Sequence, residues 1–204
     1  MNNRIIVAAS NNRDKIKEIK EILKDHEILS LEDMGIISEV EENGDTFEEN
    51  AILKARDAKR YTDNIVIADD SGLMVDHLNG LPGVNSKRFS ALYGDVKDDS
   101  SASVYDKNNA LMLKMMKDVE YEKRTACFVC ATAVIMPDDE CTIFVGKCRG
   151  HILDEQKGNK GFGYDPIFCV DGLDKTFAEL SEEEKNCISH RAMSLKKVKE
   201  FLND

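Results

Sequence analysis

Asp69 and Asp70 stand side by side in Ile65–Val75, IVIADDSGLMV, where an apolar run meets two carboxylates and then Ser71 and Gly72. Charge at the edge of a core is costly unless it is paired or bound to a cation. A β-branched run ending in acids therefore predicts a buried strand whose tip opens into a site. The same letters also suit a strand that ends in a solvated Asp-Asp-Ser-Gly turn. Carboxylates placed this way are the donor set for a hard divalent cation and for taking a proton from water.

Four other clusters carry chemistry. Ser10-Asn11-Asn12-Arg13-Asp14-Lys15 follows a strand and opens a helix. A helix N-terminus presents free backbone N–H groups, which suits an anion. The GxxxxGK[ST] pattern is absent, so this is not a P-loop; an ordinary capped strand-to-helix connection fits the letters as well. Glu39-Val40-Glu41-Glu42-Asn43-Gly44-Asp45 is acidic, and Lys54 lies on the helix after it. Lys54 is either a cation near the strand ends or a snorkelling surface lysine. Gly158–Phe168, GNKGFGYDPIF, packs three glycines around Phe162, Tyr164 and an acid, and can bring backbone close to a flat ligand. His190 and Arg191 sit in the first turn of the last helix, where the dipole disfavours cations unless they meet an anion or a base.

The positioning elements follow from periodicity. Arg4–Ala9 and Glu27–Leu31 read as strands, with a helix between them carrying Ile16, Ile19, Ile22 and Leu23 on one face. Thr46-Phe47-Glu48-Glu49 is a capping box, opening a helix to about Arg60 with Ala51, Ala55 and Ala58 on a close-packing side that also carries Lys54. Gly80–Gly83 is a turn, and Asp95–Ser103 a polar, charged loop. Ala110–Met116 is helical, with Leu111, Met112, Met115 and Met116 expected in the core. Arg124–Met136 and Cys141–Lys147 form an antiparallel hairpin about Pro137-Asp138-Asp139. The last helix buries Ala192, Leu195, Val198 and Leu202. Strands alternating with helices indicate an α/β fold, to which the hairpin adds antiparallel strands.

Composition narrows the class. The chain has 204 residues, 42% hydrophobic and 33% charged, which predicts one globular domain, with the β-rich hairpin region (124–149) in a second lobe. A net charge of −11 argues against binding a nucleic acid polymer, though a few lysines suffice for a small phosphorylated ligand. No run is long enough to span a bilayer and the N-terminus has no signal pattern, so the expected location is cytoplasmic, with no membrane partner. The six cysteines are then free thiols. Cys127 and Cys130 form a CxxC inside a strand, on opposite faces, which favours packing over zinc or redox chemistry.

Taken together, the chain resembles the ITPase-like non-canonical purine nucleoside triphosphate pyrophosphatases, also called XTP/dITP diphosphatases. The matching blocks are SNNRDK (Ser10–Lys15), EENGDTFEENAILKA (Glu41–Ala55), ADDSGL (Ala68–Leu73), GLPGV with SKRF (Gly80–Phe89), GFGYDP (Gly161–Pro166) and AELSEEEKNCISHR (Ala178–Arg191). They occur in the family's order along nearly the whole chain. Ser10 and Asn11 stand where the family usually has Thr and Gly, and Asn85 replaces a common Tyr; no charged group of the site is lost.

The resemblance implies an elongated mixed-sheet α/β fold of two lobes with a central cleft. It implies hydrolysis of ITP, dITP and XTP to the monophosphate and pyrophosphate, which cleanses the nucleotide pool, and it implies Mg²⁺ and a homodimer. The family's metal positions fall on Glu41 and Asp70, with Glu42 as the alternative to Glu41 and Asp69 as an outer partner; Asp70 is also the proton acceptor. Substrate would be held by Ser10, Asn11, Asn12, Arg13, Asp14, Lys15, Lys54 and Ser71 towards the phosphates, and by Phe162, Gly163, Tyr164, Asp165, Lys185, His190 and Arg191 towards the base. Phe162 or Tyr164 would stack on the purine, His190 or Arg191 would donate to its 6-carbonyl, and Asp165 would accept from N1–H. A Maf-like pyrophosphatase is a second reading, against which the GFGYDP and SHR blocks speak. A non-catalytic nucleotide-binding regulator is a third, and its mark would be a missing carboxylate.

Overall fold

The computed structural model describes residues 4–38, 40–94 and 101–203. Glu39 and residues 95–100 of the polar Asp95–Ser103 loop lie outside the described residues; Ser103, at the end of that loop, caps the next helix. Six strands form a mixed sheet in the order β2-β1-β3-β4-β5-β6: β1 (Ile5–Ala8), β2 (Glu27–Ser30), β3 (Ile65–Val75), β4 (Thr125–Ile135), β5 (Cys141–Ile152) and β6 (Phe168–Val170). β1 runs parallel to β2, with Ile5 opposite Glu27, and parallel to β3, with Ile6 opposite Ile65. β5 and β6 are antiparallel, with Gly150 opposite Val170. The helices are α1 (Arg13–Ile22), α2 (Phe47–Lys59), α3 (Phe89–Tyr93), α4 (Val104–Met116), α5 (Glu182–Ile188) and α6 (His190–Asn203). Among the described residues, no helix is long and apolar enough to cross a membrane.

The chain divides into two compact units. The first comprises Met1–Ser71, Cys130–Lys147 and Ser189–Asp204; the second comprises Gly72–Val129 and Cys148–Ile188. In the first unit, the apolar face of α1 (Ile19, with Leu23 just beyond it) joins Ile6, Ile65, Ile67 and Val134 from the strands and Leu195, Val198 and Leu202 from α6 in one core. This is the amphipathic spacing expected of both helices. Thr46 caps α2 through the capping box visible in its letters, taking the Glu49 N–H at 3.1 Å while the Glu49 carboxylate returns to the Thr46 N–H at 3.2 Å. Gly146 lets α6 lie close on β5: a Cβ there would stand 2.1 Å from the His190 carbonyl oxygen. The absent side chain thus sets the height of the helix start that carries His190 and Arg191.

The second unit packs Leu73, Val75, Phe89, Met112, Met116, Phe128, Phe168 and Phe177 together, with Phe128 edge-on to Phe168 at 4.7 Å. Met112 and Met116, four apart, share the buried face of α4 as expected. Met115 departs from the expectation: it is 37% exposed, because i+3 from Met112 on this helix falls to the solvent side.

Candidate active site

The acids of β3 depart from the sequence reading in one respect. They do not mark a strand tip; β3 continues through Asp69, Asp70 and Ser71 to Val75, and both carboxylates are buried at 2% and 6% exposure. Neighbours on a strand point to opposite faces, so each acid has its own surroundings.

Asp69 meets α1 and α6. Lys15 Nζ lies 3.0 Å from its Oδ2, and Arg191 donates to the same oxygen from Nε at 3.3 Å and Nη2 at 2.9 Å. The Arg191 Nη1 pairs with Glu18, and Nη2 also donates to Ser71 Oγ at 2.9 Å. The thiol of Cys130 approaches Asp69 Oδ2 at 3.7 Å; burial first, then the Asp69 charge, pushes that thiol up to about 12, so it is inert. Burial alone would raise the Asp69 carboxyl, but the charges of Lys15, Arg191 and Lys54 outweigh it and hold the group well below the usual carboxylate range.

Asp70 meets α2. Lys54 Nζ donates to Oδ1 at 3.0 Å and Asn50 Nδ2 to Oδ2 at 3.3 Å. Lys54 also lies 3.5 Å from a Glu42 oxygen. Here burial wins over Lys54 and Lys15, and the Asp70 carboxyl is raised. Burial pulls the Lys54 ammonium down, but Asp70, Asp69 and Glu42 together raise it. Two adjacent carboxylates are thus pushed apart, Asp69 lowered and Asp70 raised. Such separation is how a fold assigns acid–base roles to like groups.

The Ser10–Lys15 segment is a capped helix start. Asn12 Oδ1 accepts the Asp14 and Lys15 N–H groups at 2.9 and 3.3 Å, and Ser10 Oγ accepts the Asn12 N–H. Asn11 Nδ2 donates to the Ser38 carbonyl. Arg13 points to solvent and pairs with Glu32 at 3.0 Å, and Asp14 is exposed. Lys15 is the member of this segment whose charge reaches a buried acid.

All-oxygen donors are what Mg²⁺ requires, and it is usually held by one or two carboxylates, with waters and substrate phosphate completing the shell. Among the described residues, no group of three or more His, Cys, Asp and Glu is assembled for a metal. Two carboxylates do come together, Asp70 and Glu42, through Lys54; Glu41 and Glu42 are both exposed. Among the described residues around the β3 acids, Glu18, Glu42, Asp69 and Asp70 face Lys15, Lys54 and Arg191, four acids against three cations. The donor chemistry and the charge excess fit a divalent cation.

In the second unit, the Gly161–Pro166 loop is built around Asp165. Gly161 (φ +72°) and Gly163 (φ +64°) take left-handed conformations that favour glycine. A Cβ on Gly161 would sit 2.1 Å from Asp165 Oδ2. That oxygen accepts the Phe162 N–H at 2.8 Å and the Lys185 ammonium at 2.7 Å. Lys185 also lies over the Phe162 ring, 4.7 Å from its centroid. It is delivered by a second capping box, Ser181 with Glu184, at the start of α5. Acid, ammonium and aromatic ring thus form one compact group.

Two of the expected roles change. Tyr164 is buried and its hydroxyl donates to the Ser86 carbonyl at 2.8 Å, so it braces the loop and is not a stacking surface, while the Phe162 ring lies under Lys185. Arg191 is 1% exposed and its guanidinium is bonded to Asp69, Glu18 and Ser71, so it supports the acid pair. His190, buried at the start of α6, precedes it. Sequence reasoning also missed Glu18, Asn50 and Asn109. Glu18 lies one turn after Lys15, Asn50 is a polar residue on the alanine side of α2, and Asn109 on α4 donates to the Gly163 carbonyl at 3.0 Å. A polar side chain on an otherwise apolar helix face was the available signal for Asn50 and Asn109.

Comparison with known proteins agrees along the chain. The Ham1 family profile matches residues 6–201. A dITP/XTP pyrophosphatase of a Thermoanaerobacter species is 49% identical over 199 residues, covering 97% of this chain and 96% of that protein. The Bacillus subtilis dITP/XTP pyrophosphatase is 46% identical, covering 96% of each. Among solved structures, the Staphylococcus aureus Ham1 protein superposes with a TM-score of 0.82 at 42% identity, covering 98% of both chains. The Coxiella burnetii HAM1 protein gives 0.83 at 37% identity, again covering 98% of both. A family profile matched over nearly the whole chain, with relatives 46–49% identical along their full length, shows that this chain belongs to the Ham1 family.

Proposed function

We propose that the protein hydrolyses dITP and XTP, and with them ITP, to the monophosphate and pyrophosphate, as an Mg²⁺-dependent homodimer that cleanses the cytoplasmic nucleotide pool. The observation that carries this reading is the split acid pair of β3, flanked by Lys15 and Lys54. Close full-length relatives bearing the name dITP/XTP pyrophosphatase support it.

The chain's own groups supply the steps. Lys15 and Lys54 attract the triphosphate, and Ser71 and the Ser10–Asn12 turn add polar contacts. Asp70, raised by burial, orients a water and takes its proton. Asp69 stays ionised and holds Lys15 in place. Asp70, with Glu42 or Glu41, would hold Mg²⁺, whose contribution is charge neutralisation on the phosphates and a lowered pKa of bound water. Fixed charges of this kind supply most of the catalysis in phosphoryl chemistry.

Base choice rests on the Asp165 loop. Hypoxanthine and xanthine present a carbonyl at position 6 beside N1–H, and adenine presents the reverse polarity. Lys185 as donor and Asp165 as acceptor, 2.7 Å apart beside the Phe162 ring, match the first pattern. Adenine would set an amine against the ammonium and a bare nitrogen against the carboxylate, and so forgo both bonds that the oxo purines gain.

A panel of nucleoside triphosphates with Mg²⁺, assayed separately for pyrophosphate and orthophosphate, tests the reading. Pyrophosphate is the expected direct product, with dITP, XTP and ITP preferred over ATP. Orthophosphate released first, with the diphosphate accumulating, overturns it.

A further inference from the structure

Asn50 is a fully buried amide, 1% exposed, on a helix side otherwise lined by Ala51, Ala55 and Ala58. Its side chain faces two ways. Towards the acidic segment, Oδ1 accepts the Gly44 N–H at 2.9 Å and Nδ2 reaches the Gly44 carbonyl at 3.4 Å, so the amide pairs with both backbone groups of one residue. Towards β3, Nδ2 donates to Asp70 Oδ2 at 3.3 Å. Lys54, one turn further along α2, holds the other oxygen of the same carboxylate. Gly44 fits this contact because a Cβ there would lie 2.9 Å from Asn50 Oδ1 and 2.7 Å from the Glu49 Cβ.

Each group of the amide is committed. A loop-docking asparagine would need the Gly44 bonds alone, and a carboxylate held by Lys54 needs no second donor for its charge. The additional bond fixes the rotation of the Asp70 carboxylate, because each oxygen then has its own donor. It also joins that carboxylate to the backbone two residues from Glu42.

We propose that Asn50 is a positioning residue: it sets the plane of the Asp70 carboxylate and keeps the Glu41–Glu42 segment in register with it, so that the two acid sources can hold one divalent cation. This rests on the functional reading above for the role of Asp70. It places no charge or reacting atom on Asn50 itself.

Two variants separate this from simple loop docking. Asn50→Leu keeps the volume and removes every hydrogen bond. Asn50→Asp keeps an acceptor for the Gly44 N–H but removes the donor to Asp70. Turnover on the best triphosphate is measured with Mg²⁺ affinity, the latter by titration calorimetry without nucleotide. A hydrogen bond to a charged group corresponds to about tenfold to a hundredfold in an equilibrium or a rate. Asn50→Leu is therefore expected to weaken Mg²⁺ binding and lower kcat by about tenfold or more, and Asn50→Asp to lower kcat by a similar factor with KM within about twofold. If kcat and Mg²⁺ affinity stay within about twofold of wild type in the folded variants, whatever happens to Tm, the amide only docks the loop and the proposal is wrong. Should neither variant fold, a crystal structure of the wild type with Mg²⁺ decides: an Asn50 amide turned away from Asp70 overturns the role. If the wild type hydrolyses no triphosphate, the functional reading fails, and Mg²⁺ binding by the same variants still decides the part played by Asn50.

Discussion

The two units bury their acids in opposite ways. In the first, Asp69 and Asp70 sit back to back on β3 among three cations and two further acids, and the charges do not balance. In the second, one oxygen of Asp165 accepts from the Lys185 ammonium and the Phe162 N–H. The Asp165–Lys185 pair ties the loop to α5, and its value lies in the geometry it fixes. An unbalanced cluster stays ready for further charge, and its members are driven to different protonation behaviour. On the function proposed above, β3 carries the reactivity and the Gly161–Pro166 loop the discrimination.

Asp70→Asn should break that comparison most severely. The amide cannot take a proton, and turnover should fall by about a hundredfold to ten-thousandfold. The fold should survive. Burial raises the Asp70 carboxyl, so its charged form costs stability at neutral pH, and stability rises as pH falls through its pKa. A neutral isostere removes that cost but also takes a partner from the buried Lys54, leaving it Glu42, so Tm at pH 7 should fall less than in Arg191→Met. Turnover within tenfold of wild type would remove Asp70 from the chemistry.

Arg191→Met comes next. It leaves Asp69 and Glu18 buried without their shared partner, and breaking such a pair costs about 3–5 kcal/mol. The pH dependence carries a definite sign. Asp69 is held below its usual value, so its stabilisation is fully present above the unfolded carboxylate value of about 3.9 and is lost as pH falls below it. The Tm gap between wild type and variant should therefore be widest near pH 7 and should narrow below about pH 4. A base-reading Arg191 predicts a change in nucleotide preference at unchanged Tm, and that result would reverse the assignment made here.

These two residues also show what could be read in advance. The Thr46 capping box, the helix start at Lys15 and the apolar stripe of α6 were legible because each is local and periodic. The acids were legible as a cluster but not as mid-strand residues. What allows β3 to run on through them is the arrival of Arg191, 122 residues away in sequence, and of Lys15 and Lys54 from two different helices. No window of sequence contains that neutralisation. For the same reason Tyr164 read as a stacking surface: the Ser86 carbonyl that takes its hydroxyl lies 78 residues earlier. Asn50 was overlooked because a single amide on an alanine face carries no period.

Asp165→Asn has the smallest expected effect and sharpens the comparison most. Asparagine still accepts the Phe162 N–H through its oxygen, so the loop keeps one of its two ties. It loses the ion pair to Lys185, which is itself buried, so Tm should fall. It also turns a pure acceptor into a group that can donate to the bare N1 of adenine. Losing a buried hydrogen bond to a charged group is worth roughly 1.5–3 kcal/mol, so the ITP-to-ATP ratio of kcat/KM should fall by about tenfold to a hundredfold. If Asp165 only ties the loop together, activity on ITP and ATP drops by one common factor alongside Tm, and the ratio does not move. Measuring both nucleotides and a melting curve on one variant decides whether the balanced pair of the second unit selects the base or merely shapes the loop.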